Sequence, residues 1–483
     1  MNVGWSSLYK KEDWWALWLG LLIFLLGFGP FAGTSVLGWT FKSNVWLDPA
    51  KAVTSANPAY QWLGWWSPVL TFLFLLAVLS IGVIAMKYNL RRFIFGFAII
   101  YWITAFVWVL GSFAYSAVTA DQLTAWRLPW SLSLTSEGGF IYLLVVGLVI
   151  RNVFKGFAQK LEEAARPEWF IKTAIVILGA SIGVKAVAAF SLATVVLFRG
   201  LGAIIEAYLI YWPLVYLISR KYFRLPKEWA APLASGISIC GVSAAIATGS
   251  AIKARPRIPI VLSSIVVAFA VAELIILPWI SYALYPTLGG MTLGAWMGLA
   301  VKTDGAAAAS GALVDALILG KAAGIGIALE KGWMLLAATT TKIFIDMFIG
   351  IWAFILAIFW STSIERKESE TSKKIGWLEI WFRFPKFIIG YFATFLVMLG
   401  ASSIVGGGVP AVASGEMDAL RVFFFALTFL SIGLITDLSA FRKEGLGKIV
   451  LIYLVCLFGF ILWIGLFVSW IFYGDVPVPL ARM

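Results

Sequence analysis

The 483-residue chain contains no histidine. That absence removes His-ligated zinc, Ser-His-Asp hydrolysis and imidazole proton relays together. Any proton that the protein carries must ride on a carboxylate or a lysine. Cysteine is scarce too: Cys240 and Cys456 stand far apart in apolar segments, which leaves no disulfide framework and no CxxC metal site. No metal or cofactor is expected. No GxxxxGK[ST] phosphate loop is present, so ATP is not the driver. No DxxD-like carboxylate pair marks a membrane face, as a lipid-modifying enzyme would need, and the expectation is a protein that is not an enzyme.

Charge is the other shortage. Only 13% of residues are charged and 61% are hydrophobic, with a mean hydropathy of +0.94. Soluble domains carry about 25% charged residues. No soluble fold of this length hides so much apolar surface, so the solvent must be lipid. Strands of about 10 residues with alternating polarity, the mark of a membrane β-barrel, are missing. The fold class is therefore an all-α polytopic membrane protein. A bilayer core about 30 Å thick needs about 20 apolar residues of helix. Thirteen such transmembrane helices are predicted, at 14–33, 66–87, 93–117, 139–156, 170–190, 192–219, 229–250, 258–284, 293–316, 333–360, 386–406, 418–440 and 447–473. The first follows Lys10 and Lys11, is rich in Trp and has no small-x-small cleavage site, and reads as a retained helix.

The net charge of +13 is explained by the positive-inside rule and anionic lipid, without invoking nucleic acid. Lys87, Arg91 and Arg92, then Arg151, Lys155, Lys160 and Arg166, then Arg220, Lys221, Arg224 and Lys227, and finally Arg442, Lys443 and Lys448 all face the cytoplasm if the N-terminus does. The C-terminus then lies outside, and the polar linker 361–374 lies inside. One cluster disagrees. Lys253, Arg255 and Arg257 fall outside if 229–250 crosses fully, and a segment that bends back or breaks relieves the conflict. Residues 34–64 form an external loop with a helix start at Asp48-Pro49 and an aromatic anchor at Trp62, Trp65 and Trp66.

From residue 139 ten helices remain, and five plus five have opposite topology, the geometry of inverted-repeat transporters. This divides the chain into an accessory N-terminal unit of three helices (1–138), a first repeat (139–290) and a second (291–483). The fourth member of each half is unusual. In 235–254, SGISICGVSAAIATGSAIKA, the glycines Gly236, Gly241 and Gly249 each lower helix propensity by about 1 kcal/mol, and Ser235, Ser238, Ser243 and Thr248 supply hydroxyls. A broken helix whose half-helix N-terminus faces an anion has this composition; close helix packing by small residues is the competing reading. Segment 418–440 ends in LSIGLITDLSAF. The substrate cavity is expected to be lined by Ser238, Cys240, Gly241 and Ser243 facing Ser431, Gly433 and Thr436.

GISICGVSAAIATGSAIKA, preceded by SRKYFRLPKEW, resembles the SSICGASAIAATAPVIKA-like stretch of a family of bacterial membrane proteins proposed to export sulfate, the YeiH-like group. IKTAIVILGASIGV, ATTTKIFIDMFIGIWAFILA, FPKFIIGYF and LTFLSIGLITDLSAFRKEG resemble further family segments in the right order, from about 139 to 473. The resemblance implies a fold like the bile-acid symporter and cation-proton antiporter clan, with two broken crossing helices. It also implies anion export across a bacterial inner membrane. GAWMGLAVKTDGAAAASG departs from the family. Gly294, Gly298 and Gly311 match, but Lys302 and Thr303 replace the family's histidine and glutamate, and Asp304 follows.

A charge within a helix core costs about 2.5–3.5 kcal/mol on insertion scales and usually faces a cavity. Lys302 and Thr303 therefore join the substrate-binding candidates, and Lys302, Asp304, Lys342, Asp346 and Asp437 are the coupling candidates. Lys342 and Asp346, four apart, equally suit an intrahelical pair, and Asp437 suits an N-cap for the second half of a broken helix. Arg199 and Glu206 are read as tying helices together, and Glu273 is a further intramembrane charge. The expected function is a secondary transporter of a small anion such as sulfate or sulfite, coupled to protons, sodium or the membrane potential. The alternative is a sodium- or proton-coupled importer of a bicarbonate- or carboxylate-like anion. A homodimer is compatible with the sequence.

Overall fold

A computed structural model describes residues 7–118, 122–132, 139–188, 190–241, 243–252, 254–255, 257–363, 386–406, 408–437, 439 and 447–481. The chain is helical almost throughout. The N-terminal unit holds α1 (Glu12–Leu26), α2 (Trp66–Ala85) and α3 (Leu90–Gly111). Asn89 caps α3 by accepting from the Arg92 N–H at 3.0 Å. Asp48 accepts from Ala50 N–H at 3.0 Å, which starts a short turn as the Asp-Pro pair foretells. The loop it lies in also pairs β1 (Phe41–Ser43) with β2 (Val53–Ser55).

Next come α4 (Gly139–Val153), α5 (Pro167–Ala188) and α6 (Thr194–Tyr222). The remainder are α7 (Lys227–Ser238), α8 (Ser243–Ala251), α9 (Arg257–Leu284), α10 (Gly290–Ala300) and α11 (Asp304–Gly324). They are followed by α12 (Trp333–Met347), α13 (Ile349–Ser363), α14 (Phe387–Val405), α15 (Gly408–Ile435) and α16 (Gly447–Tyr473). Nine helices among the described residues are long and apolar enough to cross a membrane, against the thirteen expected. The chain is an all-α polytopic membrane protein.

Small residues set the helix crossings, since lipid gives apolar side chains no reason to leave it. Gly183 of α5 leaves a Cβ only 2.6 Å from the Phe395 carbonyl of α14. Gly433 of α15 meets Gly147 and the Leu144 carbonyl of α4 just as closely.

Two segments depart from simple crossing. α7 and α8 fold back on each other after Ser238. Thr248 of α8 donates to Ser235 of α7 at 2.6 Å, and Arg255, past the end of α8, pairs with Glu228 in the first turn of α7. Both ends of this first hairpin therefore lie at one side, which removes the charge conflict posed by Arg255 and Arg257; Lys253 is outside the described residues. α10 and α11 form a second hairpin around Val301–Thr303, where Thr303 caps α11 by accepting from Ala306 N–H at 3.3 Å. Its far end returns too: Lys321 donates to the Tyr282 carbonyl at 2.6 Å, beside the end of α9. The 28 residues of α9, about 42 Å of helix, separate the two hairpin bases. The hairpins thus enter from opposite ends of α9.

The break expected in 418–440 does not occur as far as Ile435, to which α15 runs unbroken. Gly433 serves the crossing with α4. The second interruption is at 301–303 instead, one helix after the first hairpin. Most of the polar linker, from residue 364 on, lies outside the described residues.

Candidate functional site

The hairpins meet tip to tip. Gly241 N–H donates to the Lys302 carbonyl, and a Cβ on Gly241 would lie 2.5 Å from Val266 Cγ1 and 3.1 Å from that same carbonyl oxygen. Only glycine lets the backbones approach so closely.

Each hairpin interrupts a helix, so each exposes a C-terminal carbonyl end and an N-terminal amide end at the contact. Two buried lysines serve the carbonyl ends. Lys302 Nζ donates to the Leu299 carbonyl in the last turn of α10. Lys342 Nζ, from α12, donates at 2.6 Å to the Ile239 carbonyl just past α7. Cations at helix C-termini offset the macrodipole. Lys342 also pairs with Asp346 at 3.5 Å, the i,i+4 arrangement expected from spacing.

Lys302 is 1% exposed and lies 4.5 Å from the Tyr211 ring centroid, a cation–π contact. Its charged neighbours are Glu206 of α6, Glu273 of α9 and Lys342. Glu273 accepts from Tyr453 Oη at 3.0 Å and faces the Lys302 backbone N–H. Glu206 does not pair with Arg199, which turns to Asp475 and the Phe472 carbonyl (2.8 Å) and ties α6 to the end of α16.

The expected site residues divide in two. Ser238, Cys240, Gly241, Lys302 and Thr303 come together at the tips, all buried. Ser238 Oγ has no hydrogen-bond partner there. Ser243 and Asp304 open α8 and α11, but their side chains lie outside the described residues. Ser431, Gly433 and Thr436 belong to α15. Gly433 packs on α4, and Thr436 hydroxyl returns at 2.6 Å to the Ile432 carbonyl of its own helix. Asp437 accepts from Ser439 N–H at 2.9 Å beyond the end of α15, and the residues that a second half-helix would need lie outside the described ones. The opposing wall is made by Thr303 and Lys302, a pairing that two distant stretches of sequence do not announce. Glu206 and Glu273 were visible only as isolated intramembrane charges.

The family model described as conserved hypothetical protein 698 matches residues 130–452, which covers both hairpins. The UPF0324 membrane protein of Nitrosomonas europaea is 42% identical over 99% of each chain. The chain belongs to the UPF0324 family of membrane proteins. A relative from Rhodopirellula baltica is 30% identical across 83% of this chain and 67% of its own length. An uncharacterized protein of Archaeoglobus fulgidus is 50% identical over 168 residues. No solved structure matches. As a UPF0324 member the protein is a multi-pass membrane protein, and the family match places the tip contact inside the shared region while α1 to α3 precede it.

Proposed function

We propose that this protein is a secondary transporter of a small anion. The tip contact carries the reading. Two interrupted helices converge in a buried site, and their carbonyl ends are already served by lysine. The amide ends of α8 and α11 are directed at the contact, and the positive dipole end of a helix favours negative charge there. Buried Ser238 Oγ supplies a hydroxyl without a partner beside them. The opposed entry of the hairpins supports an inverted arrangement around a central site, with alternating access by movement of one part against the other. The likeness to the proposed sulfate exporters favours sulfate, sulfite or a related oxyanion. An inward-moving bicarbonate- or carboxylate-like anion uses the same donors, and the coupling ion is a proton or sodium. In this reading α1 to α3 are an accessory unit, and the N-terminus is cytoplasmic.

A thermal-shift screen of purified protein with sulfate, sulfite, thiosulfate, bicarbonate and short carboxylates tests this. A bound anion at one hundred times its Kd stabilises by about 2.7 kcal/mol. Proteoliposomes then separate transport from catalysis, since a transporter releases its solute unaltered. Lys302→Gln is expected to abolish the anion-dependent stabilisation. Transport by that variant with unchanged affinity and pH profile would make the lysine purely structural.

A further inference from the structure

Around the hairpin tips the described side chains include two ammonium groups, Lys302 and Lys342, and three carboxylates, Glu206, Glu273 and Asp346. Lys342 is paired with Asp346 at 3.5 Å. Glu273 has the Tyr453 hydroxyl at 3.0 Å and faces the Lys302 backbone N–H, contacts that Glu206 lacks. Lys302 faces both Glu273 and Glu206, while Lys342 acts on Glu273 as well. Glu206 is 1% exposed, and neither of its oxygens has a hydrogen-bond partner. The adjacent Tyr211 hydroxyl gives its own proton to the Ile461 carbonyl at 2.6 Å. A carboxylate held this way in a dry interior neutralises rather than staying charged.

The surroundings are shaped for that carboxyl. Gly465 of α16 forms the wall, and a methyl there would sit 3.4 Å from Glu206 Oε1 and 2.8 Å from Tyr211 Oη. Trp296 of α10 closes the same wall, 3.4 Å from that methyl position. The backbone of α6 over Ile205–Tyr211 is π-helical, a widened turn that recurs at functional sites.

We infer that Glu206 is a proton-binding site electrostatically linked to Lys302. An anion bound at the lysine cancels the positive charge facing Glu206 and so favours its proton. By reciprocity the protonated carboxyl favours the anion. Proton and anion therefore load together and move in the same direction. The coupling rests on the anion-transport reading above; the proton site itself does not.

Infrared difference spectra of the full-length protein in lipid, recorded across a pH titration, test the proton site directly. A buried carboxylic C=O band that titrates is expected in the parent, lost in Glu206→Gln and retained in Glu273→Gln. Persistence of the band in Glu206→Gln overturns the inference. If Glu206→Gln does not fold, Gly465→Ala serves, since its methyl touches the carboxyl's surroundings and must shift the band; an unshifted band overturns the inference equally. In the anion screen, Glu206→Gln is expected to flatten the pH dependence of anion-induced stabilisation. Absence of any anion effect in the parent, with the band behaving as expected, would sink the transport reading and keep the proton site.

Discussion

Replacing Gly241 with alanine tests the tip contact with one methyl group. Gly241 has no positive φ, so alanine suffers no backbone strain. The cost is steric. The new Cβ lies 2.5 Å from Val266 Cγ1, 3.1 Å from the Lys302 carbonyl and 3.2 Å from Thr303 Cγ2. Val266 is fully buried in α9 and the other two belong to the opposite tip, so nothing nearby yields cheaply. Overpacking of this kind costs typically about 1–3 kcal/mol. Loss of glycine's freedom in the unfolded chain returns about 0.4–1 kcal/mol. A net destabilisation of about 1–2 kcal/mol is expected, a five- to thirty-fold fall in the folded ratio. Gly400→Ala in α14 is the control, because no atom lies within 4 Å of its Cβ, and it is expected to be neutral or stabilising by up to about 1 kcal/mol. Denaturant titration in detergent, followed by tryptophan fluorescence, compares the two. Equal stability of the two variants would mean that the tips do not touch. Full transport by Gly241→Leu would remove the tip from the substrate path.

Two further outcomes follow from the hairpins and the end of α15. In a background lacking Cys240 and Cys456, cysteines at 228 and 255 are expected to react with an impermeant reagent from one face of the membrane. Cysteines at 289 and 325 should react from the other, and labelling of 228 and 255 from opposite faces would make α7–α8 a crossing helix. Asp437, outside the spanning segments, is held below the usual carboxylate range by the Ser439 hydroxyl and backbone N–H, with Lys155 and Arg151 adding to it. Its stabilising contribution is therefore full above that range and is lost as pH falls through the lower folded value. Melting temperature below about pH 4 should accordingly fall less steeply in Asp437→Asn, and an unchanged slope refutes this.

The lipid environment, the helical class and the unusual make-up of 235–254 and of the stretch around Lys302 follow from local properties: apolar runs, missing charge, glycine and hydroxyl content. Such properties act over a few turns of one helix, so a single segment displays them. Whether that segment crosses or returns is not such a property. α7 and α8 together are as long as one span, and the turn between them is decided by what receives it: Lys342 at the Ile239 carbonyl and the Lys302 carbonyl at Gly241. The same limit misread Gly433, which means close packing on α4, a meaning identical in composition to a break. It also hid the partners of Lys302. Asp304 is next but one in the chain, whereas Glu206 and Glu273 arrive from α6 and α9. Sequence alone determined which residues lipid could not accept. The tertiary structure decided which of them meet, because burying a charge without a partner is costly and the partner is chosen by packing over the whole fold.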